Sequence, residues 1–360
     1  MKPREPTAII CLSPYHGGME MDAIRTARLL QDFSDITVIL KQGSPSEHHY
    51  RKDLEQEGFA VSAVSFRSAL SLSIILQVRK LIRNKRIRNV IFFGASELRS
   101  LFFAFLGLNI NLVVRHGTTK TRPKKDPFHR LIYSRVNWHV AICQHIAMNV
   151  RKIIPFGKHT RLKIIYSSLR KPVPAHDPLL RKDNEPVEIV HVGRLTGGKG
   201  QIDAIRACGI LEERGIPFRL QLVGEIVVSF RSELEDVLSK ISYKDRIECT
   251  GHVQDPAPLF QNAHIFLFPS KGEGLSNAFM EALANGLVCI AYENTSFPEL
   301  RDLGFTCHLA EDQNLAALEN CLIEALTDIN NIETRRSNMI LAKKLFDPSR
   351  ESKEYLDLMQ

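Results

Sequence analysis

The feature that most constrains this chain is an alternation that occurs twice. Short apolar, β-branched runs stand at Ala8–Leu12, Ile36–Leu40, Ala60–Phe66, Asn89–Phe93, Asn111–Arg115, His139–Cys143 and Leu162–Tyr166. Helix-period stretches such as MEMDAIRTARLLQDF and LSLSIILQVRKLIRN fall between them. Strands that alternate with helices form a parallel sheet, because each parallel strand needs a crossover, and the crossover helices cover both faces. The pattern then breaks at 169–186, a stretch with four prolines, dense charge and no apolar period, which reads as a linker. It restarts in VEIVHVGR, FRLQLVGE, RIECTGHV, HIFLFPS and LVCIAYE, and the chain closes with helical patterns over 314–360. The fold class is therefore α/β: two Rossmann-like domains, 1–168 and 187–360, facing each other across a cleft. The final helix is free to pack back on the first domain. The chain of 360 residues suits two domains of moderate size.

Several classes fall away. No apolar run reaches the about 18 residues a membrane helix needs. The nearest, SLFFAFLGLNINLVV (100–114), reads as a core helix running into a buried strand. The start carries no signal-peptide pattern. Seven widely spaced cysteines without C-x-x-C read as reduced core residues of a cytosolic protein. The histidines show no metal-ligand spacing, so no metal is expected.

The net charge of +8 hides a polarity. Residues 1–185 hold 31 Lys/Arg against 14 Asp/Glu, whereas the remainder holds 17 against 26. A basic half suits an anionic partner: a phosphorylated substrate, an acidic membrane surface or nucleic acid. Its densest clusters are Arg79–Arg88, threaded by Leu81, Ile82 and Ile87, and Lys120–Arg130. Either cluster alone reads as a solvated face.

In open parallel sheets ligands sit beyond the carboxyl ends of strands, so the loops there carry the chemistry. After the first strand, Gly17 and Gly18 open a helix and let backbone N–H groups approach an anion, although a plain tight turn explains them equally well. G-x-G-x-x-G is not matched, so a nicotinamide or flavin has no support. After VEIVHV comes GRLTGGKGQIDAI, where Arg194 and Lys199 stand among glycines at a helix start. That is the chemistry of a diphosphate cradle. It is not a P-loop, because Gly200 follows Lys199.

After HIFLF, the stretch FPSKGEGLSNAFMEALANG places Glu273 in a loop and Glu281 on the following helix, capped by Ser276 or Asn277. An exposed helix glutamate is the commonest kind, yet Glu281 stands among alanines, methionine and leucine, and a glutamate buried there needs a partner. A carboxylate there suits the two vicinal hydroxyls of a ribose. Glu273 suits sugar hydroxyls, and backbone N–H groups around Leu275–Asn277 suit the phosphate between them. The two acids would grip the two ends of one nucleotide sugar.

On these motifs the sequence resembles the GT-B glycosyltransferases of the large retaining family 4. The family's E-x7-E pattern matches Glu273 and Glu281, and its G-R-L…K-G segment matches Gly193–Leu195 with Lys199–Gly200. Its Gly-Gly-x-Glu loop matches Gly17, Gly18 and Glu20, and its mid-domain histidine matches His116. The resemblance implies that Arg194 and Lys199 bind the donor diphosphate and that Glu281 holds the ribose. It gives Glu273 and His116 to the transferred sugar, with Gly274, Leu275 and Ser276 beside the phosphate. It implies no cofactor and no metal, in keeping with the lack of a D-x-D motif before the linker. The expected donor is a nucleotide sugar, a UDP-sugar ahead of a GDP- or ADP-sugar. The expected acceptor is an anionic glycan or glycolipid, such as lipopolysaccharide core, with retention of configuration.

The expected location is cytoplasmic, with peripheral contact to the inner face of the cytoplasmic membrane and no nucleic acid. Two departures stand out: Ser167–Ser168 where Asn-Gly is common, and Gly-Leu-Ser-Asn after Glu273 where Gly-Phe-Gly is common. The competing readings are a nucleotide-sugar 2-epimerase of the same fold and a non-catalytic membrane or nucleic-acid binder.

Overall fold

The computed structural model describes residues 5–15, 17–175 and 177–359. His16, in the Gly17–Gly18 loop, and His176 lie outside the described residues. The chain divides into two compact units, Met1–Ser168 with Pro348–Gln360, and Leu169–Asp347.

The first unit runs β1 (Thr7–Cys11), α1 (Gly18–Leu30), β2 (Ile36–Lys41), α2 (Pro45–Gln56), β3 (Ala60–Val64), α3 (Leu72–Asn84), β4 (Asn89–Phe93) and α4 (Leu98–Ala104). It continues with β5 (Asn111–His116), α5 (Pro127–Tyr133), β6 (Trp138–Ala141), α6 (Gln144–Ile153) and β7 (Arg161–Ile164). The strands form one parallel sheet in the order β3-β2-β1-β4-β5-β6-β7. β1 and β4 are buried along their whole length, as a sheet covered on both faces requires. The chain builds outward from β1 to β3, then returns to the other side of β1 with β4. The carboxyl ends of β1 and β4 therefore flank the switch point of the sheet.

Three strands are shorter than the apolar runs suggest, since β3 stops at Val64, β6 at Ala141 and β7 at Ile164. Within the cluster Arg79–Arg88, Ile82 and Ile87 are core residues. Ile74, Val78 and Ile82 recur at helical spacing on the buried side of α3, which leaves the charges outside.

The second unit runs β8 (Val187–Val192), α7 (Gln201–Ala207), α8 (Gly209–Glu213), β9 (Phe218–Val223), α9 (Val228–Ser239), β10 (Ile247–Gly251), α10 (Ala257–Gln261) and β11 (Ile265–Phe268). Then come α11 (Asn277–Ala284), β12 (Val288–Tyr292), α12 (Phe297–Asp302), β13 (His308–Ala310), α13 (Leu315–Asp328) and α14 (Ile332–Leu345). Its parallel sheet has the order β10-β9-β8-β11-β12-β13. Ile189, Leu220, Ile265, Leu267 and Ile290 of the sheet pack with Leu318 and Leu322 of α13.

Segment 169–186 is tied into this unit. The buried Arg335 donates to the carbonyls of Leu179 (2.7 Å), Gly286 and Ile329. Arg336 makes a two-pronged contact with Asp177 at 2.7 and 2.6 Å.

The last helix, α15 (Pro348–Leu358), belongs to the first unit, where Tyr355 and Leu358 join the core of Ile9, Ile91 and Val113. Its Glu351 is fully buried and accepts from the Ser168 amide at 2.6 Å, while Arg25 donates to the Ser168 carbonyl at 2.6 Å. A buried carboxylate survives only with such partners.

Of the cysteines, Cys11, Cys143, Cys208 and Cys289 are buried, Cys307 and Cys321 are partly buried, and Cys249 is exposed.

Candidate functional site

The second unit brings two predicted loops to the carboxyl edge of its sheet. The loop from Gly193 to Gly200 follows β8 and leads into α7. Gly200 has φ +78°, and a Cβ there would lie 1.9 Å from the Pro269 carbonyl oxygen, so only glycine lets this loop lie against the one after β11. Lys271 N–H donates to the Gly198 carbonyl at 3.0 Å and binds the two loops together, with Ser270 Oγ 3.2 Å from the same carbonyl. Gly197 and Gly198 face open space, where a Cβ would meet nothing within 4 Å. Arg194 is exposed, and its carbonyl accepts from Gln201 Nε2 at 3.0 Å.

This docking places Lys199 Nζ 2.5 Å from Glu273 Oε1, with side chains 29% and 12% exposed. The two residues, one read as a diphosphate ligand and the other as a sugar ligand, thus touch each other. Ser270 Oγ–H donates to the same oxygen at 2.8 Å, and Thr295 Oγ1 accepts from Glu273 N–H at 3.0 Å. The Lys199 ammonium also stands 5.8 Å from the centre of the Phe268 ring. Beneath it lies His191, fully enclosed and 4.9 Å from Phe268 ring to ring. Burial, and then Lys199, push this imidazole down to about 3, so it is neutral.

The helix α11 is capped by Ser276, whose Oγ accepts from Phe279 N–H at 3.3 Å. Leu275 and Ser276 are buried, Gly274 partly so. Glu281 is partly buried rather than enclosed all round, because its side of α11 faces segment 169–174 instead of the core. Its partner is Arg170, whose Nε and Nη2 donate to the two carboxylate oxygens at 2.6 and 2.9 Å. A cavity of about 440 Å³ opens beside the pair, lined by Pro172, Pro174, Pro256, Phe260 and Asn285 among others. Sequence reasoning missed Arg170, Ser270, Thr295 and His191.

The first unit holds the other predicted residues. Gly17 caps α1 and Gly18 begins it, and a Cβ on Gly18 would meet nothing within 4 Å. The fold leaves that side open to a ligand. Glu20 on the first turn is buried. His116 ends β5, is 1% exposed, and shares a hydrogen bond of 2.9 Å with His139 of β6. Burial lowers both imidazoles, His116 far below its ordinary value and His139 to about 3, with nearby lysines adding to the effect. Both rings are therefore neutral, one donating and the other accepting. His139 was not singled out from the sequence.

Among the described residues no group of three or more His, Cys, Asp and Glu side chains is placed to hold a metal. No helix among them is long and apolar enough to cross a membrane.

Two parallel sheets of this order define the GT-B fold, here with a glycine-rich cationic loop after β8 and both glutamates after β11. Over its whole length the fold is similar to a glycosyltransferase from Rickettsia africae (TM-score 0.82, 15% identity, 99% of this chain and 98% of that one). It is also similar to Anabaena HepE, solved with UDP-glucose (TM-score 0.76, 17% identity, 98% and 99%). Residues 186–328 match the family model described as Glycosyl transferases group 1. The amylovoran biosynthesis glycosyltransferase AmsK of Erwinia amylovora is 30% identical over 153 residues, 39% of this chain and 36% of AmsK. The chain spans little more than a third of the length of the curated relatives it matches at this level.

Proposed function

We propose that the protein transfers a sugar from a UDP-sugar to a cell-surface glycan, with retention of configuration. The observation that carries this reading is the meeting of Lys199 and Glu273 at 2.5 Å beside the open Gly197–Gly198 loop, with Glu281 on the helix that follows. As the glycosidic bond breaks, negative charge gathers on the departing diphosphate and positive charge on the sugar ring. Arg194 and Lys199 neutralise the first, a stabilisation that grows toward the transition state. Lys199 is held by Glu273. A diphosphate gives the ammonium a second anion and leaves the Glu273 carboxylate to the sugar hydroxyls. The Leu275 and Ser276 amides face the phosphate. Glu281 takes the ribose hydroxyls, and the cavity beside it takes the base. In the first unit, Gly17, Gly18 and His116 serve the sugar and the acceptor. A neutral His116 offers hydrogen bonding without a charge.

The choice of UDP is supported by HepE, which is solved with UDP-glucose. The choice of a surface polysaccharide is supported by AmsK, named for amylovoran biosynthesis. Lipopolysaccharide core is one acceptor of this class, reached by an enzyme in the cytoplasm at the inner face of the membrane. A panel of UDP-, GDP- and ADP-sugars in a thermal-unfolding assay tests the donor. A sugar nucleotide at 100 times its dissociation constant stabilises by about 2.7 kcal/mol. A UDP-sugar is expected to raise the unfolding temperature, and a panel without any response sinks the reading.

A further inference from the structure

Three cations of the first unit stand at the carboxyl ends of the adjacent strands β4 and β5. Arg99 lies on the first turn of α4, and Lys120 and Lys124 lie in the loop between β5 and α5. All three are partly buried, and among the described residues none of them makes an ion pair. The loop that carries the lysines is fixed. Lys120 N–H donates to Asn149 Oδ1 and the Lys120 carbonyl accepts from Asn149 Nδ2, both at 2.9 Å, while Lys124 N–H donates to the Ile153 carbonyl at 2.9 Å. The Lys124 ammonium stands 3.5 Å from Tyr133 Oη and 5.9 Å from the ring centre. Tyr133 in turn lies 5.8 Å from His139, ring to ring, so the floor of the cluster is aromatic and uncharged.

The charged and titratable groups around the lysines can be followed element by element. Glu97, just before α4, attracts Lys124, and Arg99 repels it. Arg115 and His116 come from β5, His139 from β6 and Tyr133 from α5. Arg115 is committed to Asp22 at 2.8 Å and Ser167 at 2.7 Å. Glu97 thus offsets only part of the repulsion on Lys124. Partial burial and mutual repulsion both disfavour the charged ammonium groups, and Lys120 is pushed down to about 8. Partly buried cations that repel one another, beyond the carboxyl ends of parallel strands, suit an anionic ligand.

We infer that Arg99, Lys120 and Lys124 bind a phosphate group carried by the glycan acceptor. The acceptor half of this statement rests on the function proposed above; the phosphate half does not. A phosphomonoester brings a charge of about −1.5 to −2 and three acceptor oxygens, which matches three cations better than a carboxylate does. Lys and Arg serve such a group differently, the ammonium groups as point charges and the guanidinium as a planar fork.

The test is calorimetric titration of the full chain with inorganic phosphate, in the presence of saturating UDP to fill the diphosphate loop of the second unit. Wild-type protein is expected to bind one phosphate. The variant Lys120→Gln/Lys124→Gln loses roughly tenfold or more in phosphate affinity, and Arg99→Gln weakens binding as well. UDP affinity measured on the same preparations certifies that each variant is folded. Absence of saturable phosphate binding in the wild type, or equal affinity in the double variant, overturns the proposal. If UDP does not bind at all, the transferase reading fails, while the phosphate titration still decides the cluster. A third arm uses vesicles of phosphatidylcholine with phosphatidylglycerol. If the double variant loses vesicle binding yet keeps wild-type phosphate affinity, the cluster is a bilayer contact and the proposal is wrong.

Discussion

Replacing Arg170 with alanine asks whether its pairing with Glu281 competes with the donor. The guanidinium holds both carboxylate oxygens, at 2.6 and 2.9 Å, with side chains 38% and 14% exposed. Solvent screens a pair with that much of the arginine in water. Exposed pairs are worth about 0.2–1 kcal/mol, and the two-pronged geometry sets this one near the top, about 1 kcal/mol. If ribose hydroxyls take over the same oxygens, donor binding gives up that energy first. Arg170→Ala then tightens the donor by up to about fivefold. Glu281→Ala removes the acceptor of two charge-assisted hydrogen bonds and weakens the donor by about tenfold or more. Isothermal titration of UDP-glucose into wild type, both single variants and the double variant reads all four corners. The double variant is expected to match Glu281→Ala, since without the carboxylate Arg170 has nothing to withhold. Weaker binding by a folded Arg170→Ala protein refutes competition and makes Arg170 a support for the carboxylate.

Arg335→Met leaves the carbonyls of Leu179, Gly286 and Ile329 without their donor. Each orphaned buried group costs about 1–3 kcal/mol, so urea unfolding of this variant is expected to show a loss of at least about 2 kcal/mol. A second expectation concerns His139, which moves from its ordinary 6.5 down to about 3 in the folded protein. The unfolded chain takes up a proton near 6.5 and the folded one does not. Stability from this group is therefore lost as pH falls from 6.5 toward 3, by about 1.4 kcal/mol per pH unit. Unfolding free energies at pH 7, 6 and 5 are expected to fall less steeply, by about one proton, in His139→Gln. Equal slopes would show that His139 takes up its proton in the folded protein at the same pH as in the unfolded chain.

The parallel sheets and the loops that carry Arg194, Lys199 and Glu273 were legible because each is local: an apolar run, then glycines, then a charge. Pairings were not. Lys199 and Glu273 lie 74 positions apart, and Arg170 and Glu281 lie 111 apart, so nothing short of the fold joins them. The sequence sets Lys199 among glycines at a helix start, but only the packing of Pro269 against Gly200 explains why no other residue fits there. Arg170 was further obscured by its setting, since a charged residue among prolines reads as solvated linker. His139 was within reach. It pairs with Val114 across β5 and β6, and residues two apart on a strand share a face, which makes it the diagonal neighbour of His116. The expectation that Glu281 needs a partner followed from its apolar neighbours, yet its identity did not.

Sugar transfer itself is the most direct measurement. Wild-type protein is incubated with a UDP-sugar carrying a labelled sugar and with cell-envelope glycan fractions, and mass spectrometry follows both UDP release and the label. UDP release in step with label in a glycan is expected, with Lys199→Ala slower by roughly two to three orders of magnitude, the scale for losing one transition-state donor. Label that stays on the nucleotide with every fraction, or a Lys199→Ala protein that turns over at the wild-type rate, would contradict the account.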